Sequence, residues 1–198
     1  MFRRVFKLSA LVMCVMVGFV ACSGTNEGKE NKEEAAPKPT LVKFEMEDGT
    51  TFTVRLMPEY APETVENFVN LVNEGFYNGL TFHRVIPGFM VQGGCPEGTG
   101  MGGSGKNIKG EFKANGVDNT LSHKKGVISM ARANPYNSAS SQFFICVDEC
   151  QFLDGQYAAF GEVVEGMENV DAIATVRTDM NDKPMTPVVI KNVSVVTE

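Results

Sequence analysis

From Leu41 onward the chain is patterned. Leu41-Val42-Lys43-Phe44-Glu45-Met46 and Thr51-Phe52-Thr53-Val54-Arg55-Leu56 alternate apolar with polar positions, and Asp48-Gly49 lies between them. Successive side chains on a strand point to opposite faces, so this two-residue period predicts a half-buried hairpin whose turn tolerates positive φ. The period then changes. Pro62-Glu63-Thr64 places proline and an acid in a first turn, and Val65, Phe68, Val69 and Val72 form one apolar stripe before Gly75 stops it, as an amphipathic helix requires. A second helix is expected from Gly166 to Val176, with Met167, Val170, Ile173 and Ala174 on one face. Strand-like runs fill the remainder: Leu80 to Ile86, Phe89 to Gln92, Gly126 to Ala131, Gln142 to Val147, Tyr157 to Val163 and Val188 to Val196. Eight short strands with two helices predict a mainly β fold, a closed eight-stranded antiparallel barrel capped by two α-helices, rather than alternating βαβ units.

The first forty residues follow another logic. Met1 to Lys7 carries Arg3, Arg4 and Lys7, and Leu8 to Ala21 then runs fourteen residues without a charge, the basic-then-apolar order of an export signal. That run is shorter than the roughly 20 residues needed to span a bilayer. It ends Phe19-Val20-Ala21-Cys22, which resembles the lipobox of bacterial lipoproteins, whose cysteine is acylated and becomes the first mature residue; an ordinary secretory signal cut near Ala21 is the alternative. Ser23 to Thr40 has no aliphatic residue larger than alanine and no aromatic, so it reads as a solvated tether. The expected organisation is therefore residues 1–21 as a removed lipoprotein signal, 22–40 as a lipidated Cys22 and tether, and 41–198 as the folded domain. Acyl chains on Cys22 make a membrane a partner, with the protein in the envelope of a bacterium.

Charge sharpens under this division. The whole chain of 198 residues has 18 basic against 24 acidic residues, but the part after Thr40 has 12 against 20. A nucleic-acid binder needs a Lys/Arg footprint, so nucleic acid is excluded as a partner. A hydrophobic content of 43% excludes a wholly disordered chain.

Several motifs resolve into nothing. Gly98-Thr99-Gly100-Met101-Gly102-Gly103 satisfies G-x-G-x-x-G but is followed by Ser104 to Gly110, which is no helix start; the motif means dinucleotide binding only between a strand and a helix. Gly100 to Lys106 nearly completes a phosphate loop, yet Asn107 stands where Ser or Thr must reach the metal. His83 and His123 lack Cys or carboxylate companions at ligand spacing, so no metal site is expected. Ser129, Ser138, Ser140 and Ser141 have no nucleophile elbow around them. Cys146 sits in the apolar run Phe143 to Val147 and reads as a small buried hydrophobe. Cys95, Cys146 and Cys150 remain after Cys14 and Cys22 are set aside, and spacing leaves their pairing open.

One segment is informative. Phe82-His83-Arg84-Val85-Ile86-Pro87-Gly88-Phe89-Met90-Val91-Gln92-Gly93-Gly94 puts one arginine on a strand-turn-strand unit with Phe89, Met90 and Gln92. This stretch resembles the cyclophilin signature. Ser129-Met130-Ala131-Arg132-Ala133, with Asn137 to Ile145, and then Phe152-Leu153-Asp154-Gly155-Gln156-Tyr157 to Gly161, resemble the second and third family blocks in order. The resemblance covers about Leu41 to Val196 and implies peptidyl-prolyl cis/trans isomerisation of proline-containing polypeptides. It implies further that Arg84 is the catalytic guanidinium, that Gln92 and Gln142 hold the peptide backbone, and that Phe89, Met90, Phe144 and Leu153 form the proline pocket. Ala131 and Arg132 match the positions that hold the residue before proline, and Phe152 and Tyr157 those at the pocket's wall. Phe152 stands where many eukaryotic members have Trp, and Tyr157 where they have His, which resembles the bacterial branch; loss of the indole donor implies weak cyclosporin binding. Arg132, in place of the eukaryotic Asn, would bias the site towards acidic residues before proline. The family's chemistry implies no cofactor and no metal, and its members are often monomers. Two other classes compete: a proline-peptide binding module or holdase, and a surface-displayed lipoprotein with incidental activity.

Overall fold

The computed structural model describes residues 40–196; the signal, the lipidation site at Cys22 and nearly all of the tether lie outside them. Eight strands form one antiparallel sheet: β1 (Leu41–Met46), β2 (Thr51–Leu56), β3 (Arg84–Ile86), β4 (Met90–Gly93), β5 (Val127–Met130), β6 (Phe143–Cys146), β7 (Ala159–Glu165) and β8 (Ile190–Val196). Their order is β3-β4-β6-β5-β7-β2-β1-β8. The edges meet through the residues flanking β3 and β8. Thr81 bridges Val189, the Phe82 N–H donates to the Val188 carbonyl at 3.0 Å, and Ile190 N–H donates to Leu80 at 2.8 Å. The barrel is thus nearly closed, and Leu80 to His83, expected as strand, forms this seam instead of a continuous ladder.

Alternation explains the interior. Val42, Phe44, Phe52, Val54, Val85, Val91, Ile128, Phe143, Ile145 and Phe160 point inward and are buried. Phe44 stacks on Phe52 with ring centroids 4.5 Å apart. Helix α1 (Pro62–Asn73) sends Phe68 into the same cluster, 5.8 Å from Phe143 and 5.1 Å from Phe160. Helix α2 (Met167–Ala174) contributes Val170, Ile173 and Ala174. Each buried aromatic or aliphatic side chain contributes about 1.5–3 kcal/mol, so the inner face of the sheet carries most of the stability.

One helix end depends on a residue far away in sequence. Ala61 precedes α1 and has no side-chain oxygen with which to cap it. The buried Glu111 carboxylate supplies that function. It accepts from the Glu63 N–H at 3.1 Å, the Thr64 N–H at 2.7 Å and the Thr64 hydroxyl at 2.6 Å, satisfying free donors at the positive end of the helix. The stretch from Gly94 to Gly110 holds no helix, so neither glycine motif has the strand-to-helix setting it needs.

Candidate active site

The same alternation that turns Val91, Phe143 and Ile145 inward turns their neighbours out. Across the sheet Arg84 pairs with Gln92, Gln92 with Phe144, and Phe144 with Ser129. Paired residues of an antiparallel ladder share a face, so these four form one row on the outer wall of the barrel. One step along, Met90 pairs with Cys146. Met90, Phe144, Cys146 and Cys150 make a second apolar cluster separate from the main core, joined by Ile86, Phe89, Ala131, Leu153 and Tyr157.

Above this cluster opens a cavity of about 210 Å³ lined by Arg84, Phe89, Met90, Gln92, Ala131, Arg132, Phe144, Leu153 and Tyr157. It is smaller than the usual 300–1,000 Å³ of small-molecule sites, and suits one compact side chain on a longer polymer. Nine of the eleven residues expected from sequence at the site line it. Gln142 lies in an adjoining cavity of about 400 Å³ that shares Gln92, Ala131 and Arg132. It reaches the site through the Gln92 amide, which donates to Gln142 Oε1 at 2.9 Å. Phe152 stands outside the lining, 71% exposed, with its ring 5.5 Å from that of Phe89.

The polar groups are few and fixed. Arg84 is half exposed, and its Nε faces the Asp182 carboxylate at 3.5 Å. Asp182 comes from the turn before β8, and its main-chain carbonyl accepts from the Val85 N–H at 2.8 Å. Gln142 Nε2 donates to the carbonyls of Gly100 and Gly102 at 2.9 and 2.7 Å. Arg132 lines the cavity and is also tied to the surrounding chain. Its Nε donates to the Gln156 carbonyl at 3.1 Å and its Nη1 to Ala133 and Asn134 at 2.9 and 3.1 Å. The guanidinium also lies 5.1 Å from the Phe112 and Tyr136 ring centres and 4.7 Å from that of Tyr157. Its Nε and Nη1 donors are thus engaged within the protein.

Behind Phe144 lies a network that no sequence spacing announces. His123 is buried with its ring 6.0 Å from that of Phe144 and nearly parallel to it. Its Nδ1 is 2.8 Å from Asp154 Oδ1 and its Nε2 3.0 Å from Ser129 Oγ. Burial pushes His123 below its ordinary value, with the Asp154 carboxylate opposing. An ionised carboxylate only accepts, so Nδ1 carries the proton and Nε2 accepts from the Ser129 hydroxyl. Ser129 is wholly buried, which prevents this Asp-His-Ser arrangement from presenting a nucleophile. It braces the pocket floor. Asp154 is 31 residues from His123, so only the folded chain reveals the pairing. Cys95, Cys146 and Cys150 are free and buried, and burial strongly raises the Cys146 thiol.

An eight-stranded barrel with an apolar pocket on its outer wall, one guanidinium beside it and two glutamines linked at its edge fits a protein that handles peptides. The model for "Cyclophilin type peptidyl-prolyl cis-trans isomerase/CLD" matches residues 41–195, and the chain belongs to that family. It is 47% identical to peptidyl-prolyl cis-trans isomerase B of Bacillus subtilis, over 69% of this chain and 96% of that protein. It is 44% identical to a peptidyl-prolyl cis-trans isomerase of Helicobacter pylori (73% and 86%) and 44% identical to one of Schizosaccharomyces pombe (68% and 85%). Bacterial and fungal relatives therefore stand at similar distances. Among solved structures, a cyclophilin type peptidyl-prolyl cis-trans isomerase of Cryptosporidium parvum superposes with a TM-score of 0.73 at 30% identity, covering 81% of this chain and 99% of that one. The same protein crystallised in the presence of the dipeptide Ala-Pro superposes with a TM-score of 0.72 at 30% identity, covering 80% and 99%.

Proposed function

We propose that this chain accelerates cis/trans rotation about X-Pro bonds in exported polypeptides, from a position tethered to a membrane of the bacterial envelope. The observation that carries the catalytic reading is the placement of Arg84 on the rim of a cavity floored by Phe89, Met90, Phe144 and Leu153. Rotation about a peptide bond meets a barrier of about 18–20 kcal/mol because the nitrogen lone pair is delocalised. No bond breaks, so the catalyst needs only a site that prefers the twisted amide to the planar one.

Proline enters the apolar cavity and displaces water. The Arg84 guanidinium, permanently charged and rich in donors, then meets the prolyl nitrogen as its lone pair localises, in a medium where that contact is strengthened. Asp182 on Nε leaves the outer nitrogens to the substrate. Gln92 and Gln142 hold the flanking backbone, and no cofactor enters the scheme. The envelope role rests on the basic start, the uncharged run and the Ala21-Cys22 junction, and the bacterial branch on Phe152 and Tyr157.

Exchange of a short Ala-Pro peptide, followed by NMR with the protein and with Arg84→Ala, tests the chemistry. A large loss of acceleration in the variant is expected. No acceleration by the unmutated protein would leave the proline-peptide binding or holdase reading in its place. For the anchor, Cys22→Ala should release the protein from the membrane fraction, and unchanged fractionation refutes lipidation. Resistance to protease on intact cells excludes surface display.

A further inference from the structure

Arg84 has a long side chain on a short support. It belongs to the three-residue strand β3 at one end of the sheet order, and it is half exposed. An arginine in that setting keeps many rotamers open to it. On one side β4 holds the strand: Arg84 pairs with Gln92, and the His83 N–H donates to the Gln92 carbonyl at 3.0 Å. The other side meets one residue of a distant loop. The Val85 N–H donates to the Asp182 carbonyl at 2.8 Å, and the Asp182 carboxylate stands 3.5 Å from Arg84 Nε. One residue thus grips the strand by its main chain and the adjacent guanidinium by its side chain.

Asp182 stands there under strain. Among the described residues it is the one non-glycine with positive φ, at 62°, a region that residues with a Cβ enter at a cost. The surrounding turn enforces it. The Asp182 N–H donates to the Asp179 carbonyl at 3.1 Å and the Asp179 N–H to the Lys183 carbonyl at 2.8 Å. The Asp179 carboxylate accepts from the Asn181 and Lys183 N–H groups at 2.8 and 3.0 Å, and Thr178 bridges Pro184. Glycine would occupy such a position with less strain. The ion pair brings little stability in return, because both partners are half exposed and pairs of that kind contribute little. Strain of this sort, imposed by its surroundings, gathers where it serves function, and the functional group within reach of Asp182 is the Arg84 guanidinium.

We propose that Asp182 is a positioning residue for the reaction at Arg84, and that aspartate occupies a position suited to glycine because its carboxylate orders the guanidinium at the cavity rim. This rests on the isomerase reading above. Without the carboxylate, the side chain of Arg84 spreads over its solvent-side rotamers, and a smaller fraction of molecules presents the guanidinium to the prolyl nitrogen. The apolar floor of Phe89, Met90, Phe144 and Leu153 does not depend on Asp182. Proline binding therefore persists while the contact made as the amide twists is weakened, which lowers kcat rather than raising KM.

The test compares Asp182→Gly and Asp182→Asn with the unmutated chain in proline-peptide kinetics, thermal unfolding and NMR of the arginine Nε–H groups. In Asp182→Gly, relief of backbone strain and the added freedom of the unfolded chain oppose each other, so Tm should stay within about 2 °C. Its kcat should fall about three- to tenfold, with KM within about twofold. Asparagine tolerates the turn and keeps an oxygen but no charge, so Asp182→Asn should fall between. The Arg84 Nε–H should show a lower heteronuclear NOE in Asp182→Gly, and in an Arg84→Lys background Asp182→Gly should change kcat no further. A kcat for Asp182→Gly equal to that of the unmutated chain overturns the proposal. So does a loss of kcat that follows a loss of Tm in both variants, which would make Asp182 a part of the turn and nothing more. If the unmutated protein shows no isomerase activity, the failure lies in the catalytic reading; an Arg84 Nε–H as ordered in Asp182→Gly as in the unmutated chain overturns the positioning by itself.

Discussion

Replacing Arg132 with lysine keeps the positive charge and removes the planar fork. A single ammonium cannot bond the Gln156 carbonyl on one side and the Ala133 and Asn134 carbonyls on the other while lying against three rings. Hydrogen bonds from charged groups contribute about 1.5–3 kcal/mol where buried; discounted to about 1 kcal/mol each for partial exposure, two lost bonds cost about 2 kcal/mol. Weakened cation-π contact adds about 0.5–1 kcal/mol. A loss of about 2–3 kcal/mol corresponds to a fall in Tm of about 4–12 °C for a domain of this size, measurable by calorimetry. Activity should change in a particular way. Tyr157 loses the cation 4.7 Å from its ring and becomes a looser wall for proline, so KM rises severalfold. Arg84 is untouched, so kcat stays within about twofold. The unmutated protein should accept Glu-Pro and Lys-Pro peptides comparably, because the guanidinium is engaged internally. A Tm within about 1 °C of the unmutated protein, or a strong preference for Glu-Pro that Arg132→Ala abolishes, refutes this account.

Other substitutions probe other parts of the fold. Glu111→Ala removes the acceptor of three hydrogen bonds at the start of α1 and should cost about 2–3 kcal/mol in denaturant unfolding; a change under about 0.5 kcal/mol would mean water replaces the cap. Gly94→Ala must place a Cβ at φ 82° against the Ser141 carbonyl and 3.1 Å from the Gln142 Cα, so both stability and peptide affinity should fall, the latter read as a raised KM. Phe152→Ala should leave Tm within about 1 °C, because the ring is mostly exposed and its aromatic neighbour is the tilted ring of Phe89. Acid should weaken the fold in two stages. His123 is held below its ordinary value by burial, so the unfolded chain binds more protons as pH falls through about 6.5 and stability declines. Burial would raise Asp154, but the His123 N–H, the Ser122 hydroxyl and the His123 ring outweigh it and hold it low, so a further decline follows as pH falls through about 4. Stability that is flat between pH 7 and 5, measured by urea midpoints, would contradict the first stage.

Much of this was legible before folding, for physical reasons that differ by element. The β1–β2 hairpin follows from strict alternation around Asp48-Gly49, and α1 from a 3.6-residue stripe with proline at its start; both signals are local. The outward row of Arg84, Gln92 and Phe144 was legible through the family blocks, since the residues on β4 and β6 look hydrophobic on both faces and period alone cannot tell core from pocket. Leu80 to His83 reads as strand because its residues suit one, yet the ladder there shrinks to a bridge at the seam. The Glu111 cap, the Asp154-His123-Ser129 brace and the Arg132 cage were invisible. Each depends on at least one contact between residues 20 or more positions apart, and a contact of that kind leaves no period, spacing or composition behind it. Arg132 shows the cost: in sequence it is a cation beside the site, and only the positions of Phe112, Tyr136 and Gln156 reveal that it is already engaged.

The strand order also sets the sequence of events in making the site. β8 lies against β1, the first strand, and the residues before it join Leu80 and Phe82, immediately upstream of Arg84. Asp182, which touches both Arg84 and Val85, belongs to the same late stretch. A growing chain that has emerged only as far as α2 has every cavity-lining side chain in hand but neither the seam nor the Asp182 turn that seats its guanidinium. Such pairings between distant ends are the slow contacts of folding. The protein therefore reaches working form only after its last strand arrives, too late to assist the first folding of its own prolines.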